Sequence, residues 1–439
     1  MKNLLEREFH AQNRRKLLEN LENGDTVILF SANPQSRNAN QFFRYRQNSD
    51  ILYYSGIRQE ETILLLHKRS STEAEEYAFV IEPTEHINVW TGIKLTKTEV
   101  ADISGITNVE YLDSFDSIAD EIIKSGKGRV YISFGNNIRK AEYINFRQEA
   151  WKKAHSELEF NDIDPITTTL RLQKSDYEIG CIREAIRITK NAFAEVAKII
   201  RPGIHEYEIE AEFYRQIRGC GCEGFAYQPV ISSGSNNCIL QSINNQGICH
   251  EGDLLIMDVG AEYKGYAADI TRTMPVNGKF SPRQQQVYDE IMSILRQIKQ
   301  YYTPGSSIDR IHSEFEKLML EALQRLNLVT KDEIAHQESV HATVKRYSPH
   351  LCSHFIGLDV HDVGNRHTIL KSDMVMSCEP AIYIPEEGFG IRMETDMLVE
   401  ETPVDFGEEK KDVFIFDKIL NNNPILYVNY LGYKKIFPT

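Results

Sequence analysis

Two pairs of acidic residues stand at spacings that could bring the members of each pair together. An apolar run at 254–259 contains Asp258, and a second β-prone run carries Asp269. If the intervening turn is centred on residues 263–264, Asp258 and Asp269 are directly opposed on an antiparallel pair, with Cβ atoms roughly 5 Å apart. Two carboxylates that close among apolar side chains repel each other and lose hydration, so they must share a proton or hold a cation. The spacing therefore predicts an acidic site in this hairpin.

A second hairpin repeats the pattern. Its turn, Pro-Glu-Glu-Gly at 385–388, separates two β-rich runs. If this turn is centred on residues 386–387, Glu379 lies opposite Glu394. One such pair alone is equally consistent with an ordinary exposed cross-strand position, because turn type and register are open at this stage. Two pairs built in the same way predict a metal centre.

The charge of this acidic cluster indicates how many ions it holds. Four carboxylates are neutralised by two dications, whereas a single dication leaves an excess of negative charge in an apolar pocket. We therefore expect two ions, which can polarise a carbonyl together. An oxygen-rich ligand set favours Mn²⁺, with Co²⁺, Fe²⁺ or Zn²⁺ as alternatives.

Candidate imidazole ligands cluster between the two hairpins. His350, His354 and His361 lie within twelve positions, in a segment that also contains Gly357 and Gly364. A single histidine is more often structural than a ligand. This density favours function, because the glycines let the backbone turn tightly around a cleft. Spacing alone leaves open which of the three binds metal.

The composition argues against several classes of protein. Lys plus Arg total 50 and Asp plus Glu total 64, giving a formal net charge of −14 without a basic stripe. We therefore expect neither a nucleic-acid partner nor an anionic membrane surface. No apolar run reaches the roughly 18 residues of a membrane span. The seven cysteines lack paired spacing and the N-terminal segment lacks a signal-peptide core, which predicts a cytoplasmic protein with free thiols.

A length of 439 residues predicts two domains. Residues 1–165 alternate β-prone and helical segments, which is typical of an α/β layer domain. The strands expected here are at 26–31, 50–56, 62–67, 77–82 and 129–134, and the helices are near 8–22, 96–104, 114–125 and 137–153. A turn-rich stretch around 160–172 marks the boundary, and residues 166–402 form the second domain.

The second domain has the pattern of a two-fold internal repeat. One helical pattern ends at Pro-Gly 202–203, and a comparable one ends at Pro-Gly 304–305. Phe213 and Phe315 each stand ten residues past the glycine of their Pro-Gly. Each helix–Pro-Gly–helix unit is followed by one acidic hairpin, so we expect both halves to supply ligands to one cleft.

Longer motifs resemble those of a known family. Four segments resemble the metal-binding motifs of the pita-bread metallopeptidases. They are Asp-Val-Gly-Ala-Glu-Tyr-Lys-Gly-Tyr-Ala-Ala-Asp at 258–269, the histidine segment at 350–364, Glu-Pro-Ala-Ile-Tyr-Ile at 379–384 and Arg-Met-Glu at 392–394. Residues 44–57 and Val-Trp-Thr-Gly at 89–92 resemble the N-terminal domain of the aminopeptidase P subfamily. The resemblance extends from about residue 5 to residue 402.

The resemblance implies a fold and a metal centre. The fold is α/β (α+β), with an N-terminal creatinase/aminopeptidase P-like α/β domain before a pita-bread catalytic domain of pseudo-two-fold symmetry. The cofactor implied is a pair of Mn²⁺ ions per chain, bridged by Asp269 and Glu394. The implied metal ligands are Asp258, Asp269, His354, Glu379 and Glu394.

The resemblance also implies a reaction, in which a metal-bridged hydroxide releases the N-terminal residue from peptides with proline in second position. Glu379 would act as the general acid/base, and Arg392 would orient the ligand carboxylates. His350 and His361 would hold the substrate carbonyl and stabilise a tetrahedral gem-diolate. The residues implied in substrate binding are His350, His361, Gln241 and Tyr383. Because the bond ahead of proline has no N–H, the pocket must accept a ring at the leaving nitrogen.

One residue departs from the family pattern. Gln241 stands where the family would place a histidine. Glutamine donates a hydrogen bond but cannot carry a proton, so metal binding should survive this change while turnover is in question. This change favours one alternative, a weakly active or inactive homologue that binds peptides. An Xaa-Pro dipeptidase (prolidase) is a second alternative, independent of Gln241.

The resemblance further implies peptide substrates and further copies of the chain as partners, in a homodimer or homotetramer. Residues 403–439 do not resemble the family's usual ending. Their apolar and aromatic segments predict an atypical C-terminal tail.

Overall fold

The computed structural model describes residues 2–135, 145–336 and 338–407. The chain divides into two compact units, Met1–Arg171 and Leu172–Thr439. The first unit extends past the expected limit at 165, because the helix that follows is fastened to it. Arg171 donates to Asp50 at 2.7 Å, and both side chains are buried. Among the described residues, no helix has the length and apolar character that crossing a membrane requires.

The first unit is an α/β layer domain built on one mixed sheet. Its elements in chain order are α1 (Lys2–Glu19), β1 (Thr26–Phe30), β2 (Ser36–Asn38), β3 (Gln41–Phe42), α2 (Ser49–Ser55), β4 (Ile63–Lys68), β5 (Ala74–Val80), α3 (Glu85–Thr91), α4 (Lys97–Ser104), β6 (Asn108–Tyr111), α5 (Phe115–Gly126), β7 (Val130–Ile132), α6 (Phe146–Ala154), β8 (Phe160–Asp162) and α7 (Asp164–Leu172). The strand order is β6-β5-β4-β1-β7-β8. The central pairs β5–β4 and β4–β1 are antiparallel, and the outer pairs are parallel.

One segment of this unit differs from the sequence-based prediction. Residues 50–56, expected as a strand, form most of α2. The Asn48 side chain caps this helix by accepting from the backbone N–H groups of Asp50 and Ile51. Gly56 ends the helix in the left-handed conformation, with φ +70°. These two caps satisfy the terminal backbone groups of a short helix, which outweighs the β-propensity of its tyrosines. Of the helix expected at 137–153, the part at 137–144 lies outside the described residues.

The second unit is the pita-bread domain. Its elements are α8 (Asp176–Val196), α9 (Glu206–Gly219), β9 (Gly224–Phe225), β10 (Val230–Ser233), β11 (Leu254–Val259), β12 (Ala261–Tyr263), β13 (Tyr266–Ala267), β14 (Ile270–Pro275), α10 (Pro282–Ile298), α11 (Ile308–Arg325), α12 (Lys331–Ala335), α13 (Val340–Val344), β15 (Val375–Cys378), β16 (Ala381–Ile384), β17 (Phe389–Arg392), β18 (Thr395–Leu398) and β19 (Val404–Asp405). The strands form the sheets β10-β11-β14, β13-β12-β9, β15-β18-β19 and β16-β17. Of the expected C-terminal tail, residues 408–439 lie outside the described residues.

The predicted internal repeat is confirmed. The pair α8–α9 precedes the hairpin β11–β14, and the pair α10–α11 precedes the hairpin β15–β18. Gly203 and Gly305 have nearly the same left-handed backbone, with φ +86° and +84°. Phe213 and Phe315, one in each second helix, are 0 % and 1 % exposed. The two halves therefore reach their hairpins through equivalent turns, with a buried phenylalanine at the equivalent position of each second helix.

The first acidic hairpin has a different register from the one predicted. Its two-residue turn is Lys264-Gly265, with φ +53° and +84°, so that Asp258 lies opposite Thr271 rather than Asp269. A type I′ turn needs positive φ at both central residues, and glycine meets that need at the second position. Because the register differs by an even number of residues, Asp258 and Asp269 still project from the same face, on a diagonal.

The register of the second acidic hairpin is confirmed. Cys378 pairs with Thr395, and Ala381 pairs with Arg392. Glu379 and Glu394 lie between these two pairs and are therefore directly opposed. The turn, whose type the sequence left open, is a short 3₁₀ helix at Pro385–Glu387 that ends at Gly388 with φ +71°.

Candidate metal centre

The two aspartates of the first hairpin meet at one phenol. The Tyr227 hydroxyl oxygen lies 2.6 Å from an oxygen of Asp258 and 2.6 Å from an oxygen of Asp269. Gly260, which lies opposite Asp269 in the observed register, leaves room for the Tyr227 ring and for the neighbouring strand. A Cβ there would be 3.0 Å from the Tyr227 ring and 1.7 Å from the Ala268 carbonyl oxygen. A phenol has one hydrogen to donate, so the second short contact requires a proton on a carboxyl group or a cation at the site.

The two glutamates of the second hairpin lie in contrasting surroundings. Glu394 is 2 % exposed and accepts at 2.5 Å from the Thr271 hydroxyl, which belongs to the first hairpin. Glu379 is more open, with a side chain that is 15 % exposed. It accepts at 3.1 Å from the Ser377 hydroxyl. The Thr271–Glu394 contact joins the acidic residues of the two halves.

His354 connects the two acidic pairs. Its Nε2 lies 3.3 Å from Asp269 and 3.4 Å from Glu379. Its Nδ1 faces the Phe355 carbonyl oxygen at 3.1 Å, a contact that directs Nε2 into the site. Although burial works against its charge, the carboxylates of Asp269 and Glu379 raise the pKa of His354 to about 9.

The carboxyl groups themselves resist ionisation. Burial and then the charge of Asp258 raise the pKa of Asp269. Burial and repulsion from Asp269 and Glu379 raise the pKa of Glu394 well above its usual range. Burial raises the pKa of Glu379 to about 7, against the opposing charge of His354. Raised pKa values of this kind arise when several carboxyl groups lie close together and nearby positive charges do not offset their mutual repulsion.

A chain of polar contacts leads from Asp258 to His350. Arg392 donates at 2.7 Å to Asp258 and at 2.7 Å to the Tyr383 hydroxyl. That hydroxyl lies 3.0 Å from His350 Nε2, and His350 Nδ1 lies 3.5 Å from Glu379. Burial and then the charge of Arg392 lower the pKa of His350 to about 4, so this imidazole is neutral near pH 7.

The remaining candidates, His361 and Gln241, have solvent-exposed side chains. The His361 ring is exposed and packs against the His354 ring, with centroids 4.3 Å apart. Gln241 is exposed in the turn that follows the 3₁₀ helix Gly234–Cys238. Its neighbour Leu240 packs against Tyr383 and Ile256, so this loop borders the site. Within the described ranges, the side chain of Gln241 itself has no hydrogen-bond partner.

The residues fit a divalent metal cofactor, although not all five come together equally. Ligand atoms of Asp269, His354 and Glu394 lie within 4.8 Å of one another. Asp258 is linked to this group by the Tyr227 hydroxyl, which also contacts Asp269. Glu379 is linked to it by His354. Asp258 is held by Arg392 and by the Tyr227 hydroxyl. The doubly contacted phenol is consistent with a cation at the site or with a proton on one of the carboxyl groups.

Two contacts of the site were missed in the sequence. Tyr227 lies far from both hairpins along the sequence, and its spacing from them gives no sign of the contact. Asp396 accepts from the backbone N–H of Asp269 at 3.1 Å, while its other carboxyl oxygen is buried without a hydrogen-bond partner among the described residues. Its position two residues after Glu394, on the same face of a strand, was the available signal.

Family models match both units. The model described as metallopeptidase family M24 matches residues 180–401, and the model described as aminopeptidase P, N-terminal domain, matches residues 10–131.

Relatives of known name and structure match almost the whole chain. The Xaa-Pro aminopeptidase of Escherichia coli is 32% identical over 417 residues, covering 91% of this chain and 93% of the relative. That of Haemophilus influenzae is 28% identical, covering 90% and 93%. A solved structure of zinc-substituted E. coli aminopeptidase P in complex with product superposes with a TM-score of 0.84 at 29% identity, covering 97% of this chain and 98% of that chain. The chain therefore belongs to metallopeptidase family M24, as a divalent-metal-dependent aminopeptidase with an aminopeptidase P N-terminal domain.

Proposed function

We propose that this chain removes the N-terminal residue from peptides whose second residue is proline. The observation that carries the proposal is the convergence of Asp269, His354 and Glu394, from the two hairpins and the segment between them, with ligand atoms within 4.8 Å of one another. The relatives named above are Xaa-Pro aminopeptidases and aminopeptidase P. Their activity favours this reaction over that of a dipeptidase.

The proposed cofactor is a pair of Mn²⁺ ions. When bound, such ions polarise the scissile carbonyl and make a water molecule reactive near neutral pH. A donor set of four carboxylates and one imidazole supports Mn²⁺, although Co²⁺, Fe²⁺ and Zn²⁺ also accept these ligands. Asp269 and Glu394, the most buried of the four carboxylates, would hold the ions from the interior of the cluster. The full proposed ligand set is Asp258, Asp269, His354, Glu379 and Glu394.

Glu379 is the proposed general acid/base. It would accept a proton from the attacking water and pass it to the leaving proline nitrogen. Its side chain is 15 % exposed, so it can reach both the attacking water and an arriving substrate. The Ser377 hydroxyl and the His354 ring hold its carboxyl group from one side.

The proposed substrate contacts are His350, His361, Tyr383 and Gln241. A neutral His350 can donate a hydrogen bond to the oxygen that gains negative charge in the transition state. Arg392 holds Tyr383 and Asp258 in place with two bonds of 2.7 Å, so it acts on the substrate through other residues. His361 is exposed beside His354, which suits contact with an arriving peptide.

Compartment and assembly are proposals of the same kind. All seven cysteines lie in the described ranges as free thiols, which supports a reducing cytoplasm.

Three apolar side chains of the first unit, those of Val89, Trp90 and Ile93, are 75 %, 76 % and 90 % exposed. Exposed apolar groups of this kind support burial against another copy, in a homodimer or homotetramer.

The substrate assignment is tested with Mn²⁺-supplemented protein on an Arg-Pro-Pro peptide and on Gly-Pro. We expect release of arginine from the longer peptide and little hydrolysis of the dipeptide. Glu379→Gln should lower kcat by roughly a thousandfold, because it removes the proton acceptor. Glu386→Gln, in the exposed turn of the same hairpin, is the matched control and should keep the rate.

Two outcomes would redirect the assignment. Preferential cleavage of Gly-Pro would indicate a dipeptidase. Failure to cleave either compound while the protein holds two ions per chain would indicate a module that binds peptides without hydrolysing them.

A second prediction concerns the loop that borders the site. Gln241→His restores a side chain that can carry a proton, so we expect kcat to rise by about a hundredfold, the low end of general acid–base contributions. Metal content, measured by elemental analysis, should not change. Gln246→His, in the same exposed loop, is the control and should leave kcat as it is. An unchanged or slower rate in the first variant would remove Gln241 from the catalytic account.

A third prediction concerns stability against pH. The pKa of Glu379 is raised from 4.5 to about 7 and that of His354 from 6.5 to about 9. In both cases the folded state binds the proton more tightly than the unfolded state does, so the metal-free protein loses stability as pH rises from about 5 to 9. Metal binding needs the deprotonated groups and offsets this loss.

We therefore expect the difference in Tm between Mn²⁺-loaded and chelator-treated protein to be larger at pH 8 than at pH 6. His354→Asn should reduce this pH dependence. Calorimetry at the two pH values measures it. A difference that shrinks as pH rises would contradict the assigned charges.

A further inference from the structure

A second group of metal-ligating side chains lies on the helices that follow the first hairpin. His312 and Glu316 are four residues apart on α11 and therefore share one face of that helix. His341 on α13 completes the group. Ligand atoms of all three lie within 4.8 Å of one another. None of them belongs to the acidic centre proposed above.

The two imidazoles of the group face the same oxygen of the Glu316 carboxylate. Oε1 of Glu316 lies 2.6 Å from His341 Nδ1 and 3.4 Å from His312 Nε2. The first distance is that of a hydrogen bond, whereas the second is too long for a strong one. The carboxylate thus faces two imidazole nitrogens and binds only one of them well.

His312 is the buried member of the group. The residue is 6 % exposed, and its Nδ1 has no hydrogen-bond partner among the described residues. Burial lowers the pKa of His312, which keeps the imidazole neutral. Nε2, rather than Nδ1, is the nitrogen that faces Glu316, so Nε2 is the one that would bind an ion. A metal ligand must likewise be neutral imidazole.

We propose that His312, Glu316 and His341 form a mononuclear site for a divalent ion of the zinc type. Two imidazoles and one carboxylate are a ligand set that zinc accepts in tetrahedral geometry, with a fourth position for water. Metal–ligand distances of roughly 2.0–2.1 Å give a spacing of roughly 3.3 Å between tetrahedral ligands. The 3.4 Å between His312 and Glu316 matches that spacing. His341 would move outward by less than an ångström, and its side chain, 61% exposed, is free to do so.

Neighbouring charges do not exclude a cation here. Among the charged side chains that act on His312, Arg366 opposes a positive charge there. However, it is paired with Asp309, which also contacts His367. Glu316 therefore contributes a negative charge that the adjoining ion pair does not cancel. A dication bound to Glu316 and two neutral imidazoles would satisfy that charge.

The site would act as a clip between two helices. Its ligands join α11, a long helix of the domain core, to α13, a helix of five residues. The chain continues from His341 to His350, a proposed substrate contact, in nine residues. Occupancy would therefore fix the segment that delivers His350 to the active site.

Metal content is the direct test, using the full chain with Mn²⁺ already loaded and dialysed against Zn²⁺. We expect the sum of bound Mn²⁺ and Zn²⁺ to be about three per chain in the wild type and about two in His341→Ala and Glu316→Gln. His341 and Glu316 lie near the surface, so these variants avoid the folding defect that loss of buried His312 could cause. His336→Ala, an exposed histidine at the end of α12, is the matched control and should keep about three. Mg²⁺ in place of Zn²⁺ should add no ion, because it prefers oxygen ligands.

A second readout separates the clip from the acidic centre. Hydrogen exchange at 340–344 should slow when Zn²⁺ is added to the Mn²⁺-loaded wild type, but not in His341→Ala. Without Zn²⁺, peptide hydrolysis by His341→Ala should equal that of the wild type. Equal metal sums in the wild type and His341→Ala would overturn the proposal. An equal loss in His336→Ala would overturn it too, by assigning the extra ion to general surface histidines.

Discussion

Mutual repulsion among buried carboxyl groups is the constraint on which the rest of the second unit depends. Asp258, Asp269, Glu379 and Glu394 are removed from water and directed at one another, so each raises the cost of ionising its neighbours. Protons can relieve part of this cost, as the shared contact of Tyr227 indicates. Divalent cations relieve more of it, and they also provide the chemistry of a hydrolase. A bound cation would therefore stabilise this cluster as well as serve the reaction.

The scaffold maintains this costly arrangement with rigid backbone and short polar contacts. Each acidic pair is carried by a hairpin, and each hairpin follows a helix pair that turns at a left-handed glycine, Gly203 or Gly305. Thr271 links the hairpins by donating to Glu394, and Arg392 of the second hairpin bonds back to Asp258 of the first. Because these contacts cross between the halves, neither half could form the site alone.

The sequence predicted which residues share a hairpin face better than it predicted the contacts around them. The second hairpin has the register expected for a turn centred on residues 386–387, although the sequence alone left the turn type open. The first was misplaced by the choice of Tyr263-Lys264 over Lys264-Gly265, yet the period of two along a strand kept both aspartates on one face. Tyr227 and the open oxygen of Asp396 were missed, since contacts between distant segments leave no local pattern. The segment expected as a strand forms α2 because Asn48 and Gly56 cap the helix, and residue propensities do not include capping.

The central claim is that acidic groups from both halves bind the same pair of ions. Anomalous diffraction from crystals of the Mn²⁺-loaded protein measures this most directly. The account predicts two manganese peaks roughly 3.5–4 Å apart, with Asp269 and Glu394 each contacting both. A single peak, or two peaks whose ligands come from one hairpin only, would contradict it.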